Sequence, residues 1–146
     1  MSLADILLAP QRRQVVIRDC VRLIEAHVDS RSGIKGLALK TGMAMLNKAK
    51  PGLIERATAI LLPEFATALE PLHQAYAASG STDFTAYLQA HAAQAAEALL
   101  QVADARVVES DSTVVKSTYA RLRSSAETEV RSVMPALSQL IGTHLA

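Results

Sequence analysis

With 146 residues, 50% of them apolar, the chain is long enough to bury about two thirds of the surface its extended form exposes, so it need not borrow stability from metals or crosslinks. Fifteen basic and fourteen acidic residues nearly cancel, which excludes the strongly positive surface of a general nucleic-acid binder and makes nucleic acid an unlikely partner. Cys20 is the single cysteine, which excludes an intrachain disulfide and a thiolate metal cluster.

Aromatic residues make up 3% of the chain and tryptophan is absent. Such a core must be closed by aliphatic side chains and by close backbone approach at alanine, which suits helices better than a sheet. The expectation is an all-α, single helical domain over residues 1–146, a compact bundle of about six to eight helices, several of them short or proline-kinked.

At the N-terminus, Ser2 and Asp5 have capping-box spacing, and Leu3, Ile6, Leu7 and Leu8 supply an apolar turn that Pro10 ends. The arginines follow this run, the reverse of a secretory signal, and no apolar run approaches the length of a membrane span. A cytoplasmic location is expected. From Gln11 to about Asp29, Val16, Ile17, Cys20, Val21, Leu23, Ile24 and Val28 recur at helical spacing, with arginines outside. Cys20 lies in that stripe and reads as a core thiol.

The next stretch, SGIKGLALKTGMAMLNKAKPG at 32–52, is the one concentrated basic patch: Lys35, Lys40, Lys48 and Lys50, with no acidic residue between Asp29 and Glu55. Ser32 is positioned to cap a helix running to about Ala49, with Pro51 restarting the chain as a first-turn proline. Gly36 and Gly42 inside it each cost roughly 1 kcal/mol relative to alanine, which calls for a compensating reason: close packing, or backbone opened to a ligand. A phosphate loop is excluded, because Leu39-Lys40-Thr41 lacks the required glycine pattern and a preceding strand. Ile34, Leu37, Ala38, Thr41 and Met45 form one row of this helix and Lys35, Leu39, Gly42 and Leu46 the adjacent one. Its apolar sides are expected to be covered, with the lysine stems along the edges.

Two helical pieces, Gly52 to Leu62 and Glu64 to about Ala78, are expected to meet at a break at Pro63, with a kink or new start near Pro71. AASGST at 77–82 reads as a flexible connection, with Ser81 or Thr82 capping a helix from Asp83 to about Val102. DARVVESD at 104–111 reads as a turn, followed by one helix over Thr113–Leu122 and a last one opened by a Ser124/Glu127 capping box and bent or divided at Pro135.

His27, His73, His91 and His144 stand on separate predicted elements without metal-ligand spacing, and Glu70/His73 is a single Glu-x-x-His without a counterpart. With no nucleophile elbow and no strand to carry one, no catalytic residue, metal ligand or cofactor is assigned, and the chain is not expected to be an enzyme.

Taken together, SLADILLAP, the DC at 19–20 with LI after it, SGIKGLALKTG, KAKPG, LLPEF with LEPL, the YL at 87–88 and the ADAR at 103–106 are similar to a family of small, uncharacterised bacterial all-helical proteins, a domain of unknown function. The resemblance implies a bacterial, soluble protein and carries over no site residue. Two functions remain. One is a non-enzymatic interaction or scaffold protein, a homodimer through helical surfaces. The alternative is a helical carrier of an apolar or acyl ligand, or a peripheral binder of an anionic membrane, using the 33–52 stretch. Met43, Met45, Phe65, Leu69 and Phe84 would then line the cavity and Lys35, Lys40, Lys48 or Lys50 would meet the charged group. The candidate surface is Lys35, Gly36, Lys40, Gly42, Met43, Met45, Lys48, Lys50 and Phe65.

Overall fold

Ser2 opens the chain as its spacing predicts: its hydroxyl accepts from the Asp5 amide at 3.0 Å, and the Asp5 carboxylate accepts from the Ser2 amide at 3.1 Å. This capping box starts α1 (Leu3–Leu7), whose Leu3 and Leu7 are fully withdrawn from solvent. The computed structural model describes residues 2–145; Met1 and Ala146, the outermost residues of the expected domain, lie outside it. Six further helices follow: α2 (Arg13–Ser30), α3 (Gly33–Ala49), α4 (Leu53–Ser79), α5 (Phe84–Ala90), α6 (Ala92–Val108) and α7 (Thr113–Leu145). They form a compact all-α bundle with no strand among the described residues.

Several expected boundaries are overturned. The break at Pro63 does not occur: α4 is one helix of 27 residues with Pro63 and Pro71 inside it. Each proline removes one backbone donor and costs about 3 kcal/mol in a helix interior. Against this, Leu62, Ala66, Leu69 and Leu72 form one unbroken buried stripe across both prolines, and a change of direction would take half of it out of the core. Pro51 does not begin α4 either. Gly52 holds the N-cap position in the left-handed region (φ 76°), where a side chain would be strained, and the helix starts at Leu53.

The expected helix from Asp83 to Val102 is divided at His91, whose φ/ψ of −112°/28° is not helical. Asp83, rather than Ser81 or Thr82, caps α5 by accepting from the Ala86 amide at 3.1 Å. DARVVESD is helical as far as Val108, because Asp104 and Arg106 find partners on neighbouring helices. The last two expected helices are one, α7, of 33 residues and about 50 Å. Glu127 does not close a capping box; it pairs with Arg131 one turn on, at 2.8 Å.

The buried hydrophobic cluster draws on α1, α2, α4, α5, α6 and α7. Met134 and Ile141 of α7, Leu69 and Leu72 of α4 and Leu88 of α5 are among its members. Helix α3 contributes no side chain to it, and its only buried residues are Gly36 and Gly42. No helix among the described residues is long and apolar enough to cross a membrane.

Polar contacts fix the layout from outside the core. The Leu3 amide donates to Glu70 at 2.7 Å, tying α1 to α4. Asp19 accepts from His144 at 2.8 Å, and an Arg12 guanidinium nitrogen donates to the His144 carbonyl, so the start of α2 meets the end of α7. Farther along, Glu129 of α7 takes both His27 at 2.6 Å and Arg31 at 2.9 Å. Tyr76, Phe84 and Tyr87 gather with His73 and His91 in one chain of ring contacts, centroids 4.3–6.2 Å apart, that packs α4 against α5.

Candidate functional site

Between α3 and the body of the bundle lies an apolar cavity of about 400 Å³. Its floor is α4, through Ile54, Leu61 and Phe65; α2 supplies Cys20, Leu23 and Ile24; α7 supplies Val130, Val133, Leu137 and Leu140; α6 supplies Leu100 and Ala103. Helix α3 borders the remaining side with Met43 and Leu46 and leaves the space partly open to solvent. The side chains reach this space because α2, α4 and α7 each carry apolar residues over a wider arc than the stripe they bury against one another.

The polar atoms in the wall are occupied or neutral. The Thr58 hydroxyl donates to the Ile54 carbonyl of its own helix at 2.7 Å. Burial, and secondarily the neighbouring Asp19 carboxylate, pushes the Cys20 thiol up to about 11, so it stays protonated and unreactive at neutral pH. No charged side chain lines the cavity. A space of this kind selects for an apolar body and leaves any charged end at the surface.

Of the residues expected to form the site, Met43, Phe65 and Leu69 line the cavity together. Met45 points away and is 39% exposed, and Phe84 is buried elsewhere, edge-on to Tyr76 with centroids 5.0 Å apart. Lys35, Lys40 and Lys48 are exposed along α3, and Lys50 is its C-cap. None of these lysines is in an ion pair among the described residues, whereas Arg31, Arg106, Arg123 and Arg131 all are.

Gly36 and Gly42 owe their place to packing. A Cβ on Gly36 would meet the Arg31 carbonyl carbon at 2.7 Å and its oxygen at 2.9 Å, so glycine is what lets α3 fold back against the end of α2. A Cβ on Gly42 would meet Leu122 at 3.0 Å and Thr118 at 3.3 Å, so glycine also sets the approach of α3 to α7. This fixes which side of α3 faces inward, and the expected coverage of its apolar sides is overturned. The row Ile34, Leu37, Ala38, Thr41 and Met45 is exposed throughout, Ile34 at 89% and Leu37 at 67%.

Two acid–base pairings lie elsewhere, at the contacts of α6 with its neighbours. Asp104 accepts from Arg123 at 2.8 Å and from Tyr119 at 2.6 Å, which lowers its carboxyl, Arg123 contributing most. Burial first, then Asp104, raises the Tyr119 phenol. Arg106 lowers Glu64 in the same way. Each of these contacts joins α6 to a neighbouring helix. Sequence reasoning missed the α2 and α7 walls of the cavity. Their signal was the breadth of the apolar arcs, with Val16, Cys20, Leu23 and Ile24 of α2 reaching the cavity and Ile17 and Val21 extending the arc beyond it.

The chain belongs to a family of unknown function, DUF6918, whose family model matches residues 3–145. No curated protein and no solved structure matches it.

Proposed function

We propose that this protein is a carrier of an apolar ligand, an acyl chain or a compound of similar shape, held between α3 and the α2–α4–α7 body. The observation that carries the reading is the cavity. Its wall is almost wholly apolar and partly open to solvent, so an apolar body entering it would be withdrawn from water at about 25 cal/mol per Å² of its surface. A cleft with no charge in its wall suits such a ligand. Its volume also falls in the range of about 300–1,000 Å³ usual for small-molecule sites.

The homodimer also expected from the sequence takes second place, because one chain alone supplies the complete lining. Exposed Val15, Ile60 and Val108 are distributed over three helices. The bacterial, cytoplasmic setting expected from the sequence is compatible with a shuttle for a poorly soluble compound.

The test is a titration with cis-parinaric acid, a fluorescent fatty acid, beside native mass spectrometry of the freshly purified protein. Saturable binding is expected, and Ala57→Phe, which projects a ring into the cavity from the α4 wall that Ala57 helps to form, should abolish it while keeping the helical spectrum. A protein that neither binds the probe nor retains any apolar compound on purification would overturn the carrier reading.

A further inference from the structure

We infer that the outward face of α3 docks on an anionic membrane surface, Ile34 and Leu37 entering the headgroup layer and the α3 lysines lying against lipid phosphates. On a helical wheel of about 100° per residue, Ile34, Ala38, Thr41 and Met45 fall within one narrow arc, with Leu37 and Lys48 at its edge. Lys35 and Lys40 stand on opposite sides of that arc. The inward arc, Gly36, Leu39, Gly42, Met43 and Leu46, is the one that meets the body and the cavity. Helix α3 thus has two apolar faces, one turned to the protein and one turned to nothing.

Charge decides what covers the second face. Between Asp29 and Glu55 the sequence has no acidic residue, and the α3 lysines have no carboxylate partner among the described residues. A second copy meeting this face across a two-fold axis would set lysines against lysines, a repulsive arrangement. A bilayer carrying anionic lipid offers the opposite: an apolar layer for Ile34 and Leu37 beneath phosphates for the lysines, as for other helices that lie in the interface. The docking stands on surface residues alone. Its purpose rests on the carrier reading: the helix that touches lipid is also the wall that supplies Met43 and Leu46 to the cavity, so loading at the membrane needs only α3 to shift.

The experiment is co-sedimentation with vesicles of phosphatidylglycerol and phosphatidylcholine, against phosphatidylcholine alone. Binding to the anionic vesicles only, weakened by salt, is expected. Lys40→Gln with Lys48→Gln should lower partitioning about 25-fold, at about fivefold per lysine. Ile34→Ser with Leu37→Ser should lower it at least about tenfold. Both pairs change exposed side chains and should leave cis-parinaric acid binding in solution intact, whereas Ala57→Phe should lose the probe and keep the vesicles. Vesicle binding without probe binding would leave docking standing and remove the carrier. Failure to sediment at physiological salt, or sedimentation indifferent to both pairs, would overturn the docking. So would light scattering showing a dimer that Ile34→Ser with Leu37→Ser dissociates.

Discussion

Helices α3 and α6 are both 17 residues long and both rich in alanine and aliphatic side chains, yet the bundle treats them oppositely. Helix α6 buries Ala95, Ala96, Leu99 and Leu100, a single stripe with Gln94, Glu97 and Gln101 outside it. Helix α3 buries two glycines and leaves Ile34 and Leu37 in solvent. Apolar content therefore does not decide which helix enters the core. In α6 a single stripe defines one inward side. In α3 apolar residues occur all round, and the inward side is chosen by where a neighbouring backbone or side chain fits against a missing Cβ.

The broadest test of this contrast removes equal side chains from both helices. Leu99→Ala should cost about 2–4 kcal/mol in urea unfolding, since it truncates a buried leucine. Leu37→Ala should stay within about 0.5 kcal/mol, as expected of a surface position. Equal losses would mean that α3 is covered in solution.

Within α3, the two glycines should separate. Gly36→Ala drives a methyl into the Arg31 backbone, which cannot rotate aside, and should cost about 1–3 kcal/mol. Gly42→Ala meets only the side chains of Leu122 and Thr118, and the gain in helix propensity of about 1 kcal/mol offsets their displacement. Differential scanning calorimetry should show a clear fall in Tm for the first and little change for the second.

The cavity between the two regions has its own signature. Because the Cys20 thiol is raised from 9.0 to about 11, its contribution to stability is complete below pH 9 and is lost as the pH rises toward 11. At about 1.4 kcal/mol per pH unit, the wild type should lose roughly 2 kcal/mol more than Cys20→Ala over that interval. Denaturant midpoints of the two proteins that stay parallel in pH would place the thiol in water.

The smallest effect belongs to the contact between α5 and α7. Ser138 is fully buried on α7, and its hydroxyl has no hydrogen-bond partner, although its carbonyl accepts from Thr85 at 3.3 Å. Ser138→Ala should therefore be neutral or stabilising by up to about 1 kcal/mol, read from the urea midpoint.

Much of this architecture was legible in the residues. The helical periods of α2, the capping box of α1 and the extent of α3 follow from local rules. Pro63 and DARVVESD misled because their local preference was outweighed by long-range partners: a continuous stripe under Pro63, and Glu64 and Arg123 waiting for Arg106 and Asp104. For the site, Met43, Phe65 and Leu69 were legible as apolar residues near the basic stretch. Which way Met45 and Phe84 pointed was not, because the choice depends on the Gly42 contact with α7 and on the ring cluster around Tyr76.

The clasp between Asp19 and His144 joins positions 125 residues apart, and the Arg12 guanidinium reaches the same residue. During synthesis, therefore, α2 waits for its last partner until the far end of α7 has emerged from the ribosome. Until then the greasy side of α2 has only α3 and α4 to shelter it, and the nascent chain is at its most vulnerable to aggregation and proteolysis. A chain shortened by its final turn would lose this clasp and hold α2 to α7 only through earlier contacts such as those of Glu129 with His27 and Arg31.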